Sequence, residues 1–141
     1  MLATWLSSLV LGETGWTITS AVGLHLSENP GIAFGLRLPP FLQSLLIVAG
    51  LIIVATLGWR NSSIRVRLAC GMVLGGGLAN LLDRLRDGLV TDYIKVGSFP
   101  VFNIADSWIT VGVLLLILDE ILRTMDWGAK NRTGRKEGSS A

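Results

Sequence analysis

The sequence predicts a mainly α-helical fold: an integral membrane helical bundle with a small β element beside it. Three observations predict this. Half of the 141 residues are apolar and the mean hydropathy is +0.59, high for a soluble domain of this length. Leu38 to Trp59 is a run of 22 residues without a charge. Between the long apolar runs lie short stretches in which apolar and polar residues alternate, the period of a strand. The length suits one membrane-embedded domain, residues 1–128, with residues 129–141 as a flexible, glycine-rich, basic tail. A net charge of +2 is too small to point to nucleic acid, and one Cys and one His exclude a disulfide framework.

The first alternating stretch runs from Trp16 to Leu26, with Trp16, Ile18, Val22, Leu24 and Leu26 on even positions. This reads as a short strand or hairpin with one face on an apolar surface. Asn29-Pro30-Gly31 follows as a turn, and Pro39-Pro40 closes the loop before the long run. At about 1.5 Å per residue Leu38–Trp59 covers roughly 33 Å as a helix, enough for a bilayer core of about 30 Å. Leu68 to Leu82 is a second uncharged run, whose far end bears Asn80 and Asp83. Gly71, Gly75 and Ala79 recur at every fourth residue, a spacing expected to let helix backbones approach closely. Gly88 is the expected C-terminal cap. Leu89 to Val96 alternates again, with Val90, Asp92, Ile94 and Val96 on one face. From Val96 to Leu118 the only charge is Asp106, which predicts a third span over about Ile104 to Leu122.

The arginines and lysines orient the bundle. Eight of them (Arg60, Arg65, Arg67, Arg123, Lys130, Arg132, Arg135 and Lys136) fall on one side, against Arg37, Arg84, Arg86 and Lys95 on the other. The positive-inside rule then makes the 60–67 loop and the C-terminus cytoplasmic. Asn29, Asp83, Asp92 and Asp106 gather on the opposite side.

Carboxylates are costly in such surroundings and are usually kept there for use. Asp92 and Asp106 suit an aspartyl hydrolase, in which one carboxylate takes a proton from water while the other, protonated, polarises the scissile carbonyl. Such chemistry asks for no metal or cofactor. Each residue also has a plainer reading. Asn103 and Asp106 have the spacing of a helix start, Asn103 as N-cap. Asp83, Arg84 and Asp87 can pair at the interface, and Asn80 can bond across helices. His25 and Cys70 read as structural, and no serine sits in a Gly-x-Ser-x-Gly elbow.

Three stretches together resemble the bacterial lipoprotein signal peptidases (signal peptidase II). They are Asn29-Pro30-Gly31-Ile32-Ala33-Phe34; Gly76-Gly77-Leu78-Ala79-Asn80-Leu81-Leu82-Asp83-Arg84 with Gly88-Leu89-Val90-Thr91-Asp92-Tyr93; and Phe102-Asn103-Ile104-Ala105-Asp106. The resemblance covers about residues 11 to 123. It implies a membrane aspartyl endopeptidase with Asp92 and Asp106 as catalytic pair. Asn29, Gly31, Asn80, Asp83, Arg84 and Asn103 would support the site or hold the substrate. The implied substrate is a diacylglyceryl-modified prolipoprotein, cut just before its lipidated cysteine. The implied surroundings are the inner membrane and its lipids, with the site on the extracytoplasmic side and no obligate protein partner. Relatives have four spans, the first with a D-x-x-[ST]-K type motif. Here MLATWLSSLVLG alone precedes Glu13, so three full spans are expected and the first is expected to be missing. Two other readings stand beside this one. One is a non-catalytic membrane subunit or small transporter that assembles through the glycine face of residues 71 to 79. The other is a divalent-metal lipid-head-group transferase using Asp83, Asp87 and Asp92.

Overall fold

The computed structural model describes residues 16–19, 21–29 and 38–137, with the backbone alone given for 16–18 and 127–137. Its elements are β1 (Trp16–Thr19), β2 (Val22–Asn29), α1 (Pro40–Arg60), α2 (Ile64–Asp87), β3 (Val90–Val96) and α3 (Ile104–Glu137). The fold is mainly helical, with one antiparallel three-stranded sheet in the order β1-β2-β3.

Proline starts α1, with Pro40 in its first turn, where a missing N–H costs nothing. Gln43, buried early in that helix, donates to the carbonyl of Leu38 at 2.6 Å. Gly88 ends α2 as expected, in the left-handed region at φ 82°, and its N–H returns to the carbonyl of Arg84 at 2.9 Å. Among the described residues, α1 and α2 are long and apolar enough to cross a membrane. The third helix is uncharged from Ser107 to Leu118, with Asp106 before that stretch and Asp119 and Glu120 after it. It continues without a break to Glu137, past residue 128, where the sequence reading ended the domain.

Packing puts α2 in the middle, with α3 on one side and α1 on the other. Val66, Ala69, Cys70, Val73 and Leu81 form the buried face of α2. Consecutive glycines serve the two neighbours. A Cβ on Gly76 would overlap the carbonyl of Ala105 and lie 2.8 Å from Ile109 Cγ1 on α3; one on Gly77 would lie 2.7 Å from Leu51 Cδ2 on α1. From α3, Gly112 meets α2 in the same way, since its Cβ would be 2.7 Å from the carbonyl of Ala69. This corrects the expectation for Gly71, Gly75 and Ala79. All three are exposed, and a Cβ on Gly71 or Gly75 would meet nothing within 4 Å. The four-residue spacing is real, but its phase about the helix axis turns that stripe away from both neighbouring helices. Lower on the α2/α3 seam, buried Asp119 pairs with Arg65 Nε at 3.1 Å and Arg123 Nε at 3.3 Å.

The alternating stretches form the sheet, with one irregularity that matters. Leu24 pairs with Ile94 and Ser27 with Asp92, so two residues of β2, His25 and Leu26, stand against Tyr93 alone. That bulge reverses which positions of β2 share a face with Asp92. Before it the even residue Leu24 lies with Ile94. After it the odd residues Ser27 and Asn29 lie with Asp92 and Val90.

Candidate active site

Asp92 is held from a strand and Asp106 from a helix start, and two asparagine amides lie between them. Asn103 is the hub. Its side-chain nitrogen donates to Asp92 Oδ1 at 3.0 Å and to Asn80 Oδ1 at 3.1 Å. Its side-chain oxygen accepts the backbone N–H of Asp106 at 2.9 Å. In return, Asp106 Oδ2 accepts the backbone N–H of Asn103 at 3.2 Å. This is a capping box, in which the first residue and the one three places on satisfy each other's donors. The plain helix-start reading and the site reading therefore describe the same atoms. Asn80, reaching across from α2, donates to Asp106 Oδ1 at 2.7 Å. Asn29, turned inward by the bulge in β2, donates to Asp92 Oδ2 at 3.0 Å.

Every carboxylate oxygen of the two aspartates thus has a donor, and each keeps a lone pair for water or substrate. The orientations of the asparagine amides follow from their partners, since a carboxylate accepts and a backbone N–H donates. Asn80, Asp92 and Asn103 are buried, while Asp106, Arg84 and Asn29 are partly exposed. Burial pushes the Asp92 carboxyl above the ordinary carboxylate range, and the nearby charge of Asp106 adds to the rise. The hydrogen bonds from Asn29 and Asn103 and the positive charge of Arg84 oppose it. Arg84 Nη1 also donates to the carbonyl of Asn80 at 3.3 Å, one turn back on its own helix.

Both aspartates line a cleft of about 670 Å³ together with Asn29, Asn80 and Arg84. Its apolar walls come from Ile47 of α1, from Ile109 and Val111 of α3, and from the Phe99–Phe102 loop. The sequence reading missed this loop. It lies between two of the motifs and is held by mutual hydrogen bonds between Ile94 and Phe102 and by an edge-to-face contact of Phe99 with Phe102, centroids 5.8 Å apart. Thr110 was missed as well, though its position one turn beyond Asp106 was a usable signal; its hydroxyl donates to the carbonyl of Asp106 at 2.8 Å. Asp83 faces a second hollow of about 490 Å³ with Thr91, Tyr93, Asn103 and Trp108, and Asn80 lines both this hollow and the cleft. Asp87 is exposed and accepts the N–H of Leu89 in the turn after α2. Among the described residues no three His, Cys, Asp or Glu stand together as a metal site, so Asp83, Asp87 and Asp92 are not assembled into one. His25 is exposed and Cys70 buried, and both lie outside the cleft. Gly31 falls outside the described residues.

Comparison with known proteins follows the same residues. The sequence pattern of the family described as signal peptidase (SPase) II matches residues 2–122. The chain belongs to the signal peptidase II family. Membership makes it an aspartic endopeptidase of prolipoprotein processing. Among its relatives, the lipoprotein signal peptidase of Shouchella clausii is 36% identical over 128 residues, 86% of this chain and 85% of that protein. The one from Rhodococcus jostii is 39% identical over 114 residues, covering 76% of this chain and 58% of the relative. That of Syntrophomonas wolfei is 37% identical over 118 residues, 80% of this chain and 77% of its own length. A solved bacterial membrane enzyme shares the fold with a TM-score of 0.80 at 24% identity, over 89% of this chain and 82% of the other.

Proposed function

We propose that Asp92 and Asp106 are the catalytic pair of this peptidase. The observation that carries the proposal is that both carboxylates open on one cleft while Asn103 and Asn80 link them behind it. The raised pKa of Asp92 suits a pair that holds one proton between its members. A water activated by the ionised member attacks the scissile carbonyl, and the protonated member stabilises the developing oxyanion. Base and acid are roles of the pair, and neither is assigned to one member alone. Arg84 supplies a positive charge for a carbonyl of the substrate backbone or a lipid ester.

The substrate is a diacylglyceryl-modified prolipoprotein, cut just before its lipidated cysteine. The apolar wall of Ile47, Ile109, Val111 and the Phe99–Phe102 loop supports this, because it offers greasy surface directly beside the acids. Among the described residues three helices cross the membrane, with the stretch from Ile104 to Leu122 as the third of them. Positive charge at the 60–67 loop and the C-terminal end puts those on the cytoplasmic side of a bacterial inner membrane and the cleft on the other. Asp83 and Gly31 act as supports outside the pair, and no protein partner is required.

The test compares two precursors in micelles, one carrying the diacylglyceryl cysteine and one with an unmodified cysteine. Mass spectrometry should find a new N-terminus at the cysteine of the lipidated precursor alone. Equal cleavage of both precursors, or a cut elsewhere, would overturn the assignment of substrate.

A further inference from the structure

At the end of the bundle far from the aspartates, α1 and α2 leave a groove of about 560 Å³ lined by Ala55, Gly58, Trp59, Arg67, Gly71 and Leu74, with Cys70 at its floor. It is shallow there because the helices come close: a Cβ on Gly58 would lie 3.0 Å from Cys70 Cβ. Beyond that it is apolar and open along α2, since Gly71 has nothing within 4 Å of where a Cβ would stand. Trp59 at the mouth is 91% exposed, the setting of an aromatic side chain at a membrane interface.

Charge at this mouth is uneven. Asp119 engages Arg65 and Arg123, whereas Arg60 and Arg67 are exposed and have no carboxylate partner among the described residues. The start of α2 points the same way. Its first turn has no acidic residue, and its N-cap, Ser63, makes no side-chain cap bond. Arg67 lines the groove and Arg60 directly follows its lining residue Trp59, so positive charge stands beside the opening of an apolar groove.

We propose that this groove is a binding site for an anionic phospholipid, one acyl chain lying along Gly71 and Leu74 and the phosphodiester held by Arg60 and Arg67. The proposal requires that the chain lie in a bilayer, and is independent of which residues hydrolyse the peptide. Its complementarity is chemical: a single negative headgroup meets the arginines that Asp119 leaves over, while the chain takes the place of a missing side chain at Gly71.

The full chain in detergent, titrated with phosphatidylglycerol and separately with phosphatidylcholine, is read by native mass spectrometry. Wild type should retain one phosphatidylglycerol in preference to phosphatidylcholine. Replacing both Arg60→Gln and Arg67→Gln should weaken that retention about thirtyfold, the usual worth of two basic side chains at an anionic surface. Gly71→Leu fills the groove while leaving the arginines, and should also lose the lipid. Its open surroundings predict an unchanged melting curve, which shows that it folds. Excess inorganic phosphate should leave the lipid bound. Equal retention of the two lipids, retention unaffected by either variant, or displacement by inorganic phosphate would each overturn the proposal.

Discussion

Asn103 donates its side-chain N–H to Asn80 Oδ1 across 3.1 Å, and through this one bond two aspartates from different elements become parts of one network. Asn80 in turn donates to Asp106, and Asn103 to Asp92. Buried polar chains of this kind are costly when half satisfied. Here each member has its partner.

Asn103 does two jobs that substitution separates. Asn103→Ala removes the N-cap of α3 and the bridge to Asp92, and is expected to cost about 1 kcal/mol of stability together with most of the activity. Asn103→Ser keeps a capping oxygen but is too short to bridge. Its melting temperature should return close to wild type while cleavage stays down at least tenfold. Cleavage that recovered along with stability would show that Asn103 matters only as a cap.

The pH profile depends on the donors around Asp92. Asn29→Ala removes a hydrogen bond that favours the ionised form, so the already raised pKa of Asp92 should climb further. The alkaline limb of kcat/KM reports loss of the shared proton and should move to higher pH. Stability follows with a defined sign. A carboxyl whose folded pKa exceeds its unfolded value of about 3.9 keeps its proton longer in the native state, so stability falls as pH rises across that interval. The variant should widen the interval. A limb that stays put or moves to lower pH contradicts this account of Asp92.

The glycines of α2 should divide sharply. Gly76→Ala places a methyl against the carbonyl of Ala105 and Ile109, and is expected to destabilise by about 1–3 kcal/mol through overpacking. Gly75→Ala, one residue earlier with nothing within 4 Å, should change stability by no more than about 0.5 kcal/mol. Thermal unfolding in a single detergent measures both. Equal effects would mean that α2 and α3 pack on another face.

Much of this was legible in the residues. The asparagines and aspartates of the site were marked by their motifs, and Gly88 and Pro40 punctuate the helices as propensity dictates. The bulge at His25 and Leu26 was not legible. Alternation from Trp16 to Leu26 continues evenly through it, because a bulge is fixed by the partner strand rather than by the bulged sequence. Asn29 was therefore recognised from its motif while its orientation toward Asp92 came from the sheet. The small-residue stripe misled for a related reason. Spacing of four gives a common face but not its direction, and the direction is set by Gly76, Gly77 and Gly112 meeting their neighbours. The apolar wall at Phe99–Phe102 comes from a loop folded back on Ile94 through an isolated antiparallel bridge, a pairing that the alternation of Leu89 to Val96 does not announce.

The central claim is that two acids act as one catalytic unit, and single-turnover cleavage of lipidated precursor by Asp92→Asn, Asp106→Asn and the double variant tests it most directly. Members of such a unit are non-additive. Each single variant should lose about a thousandfold or more in rate, and the double variant little beyond that, with all three chains folded. Wild-type rates in either single variant, or losses that multiply in the double, would contradict it.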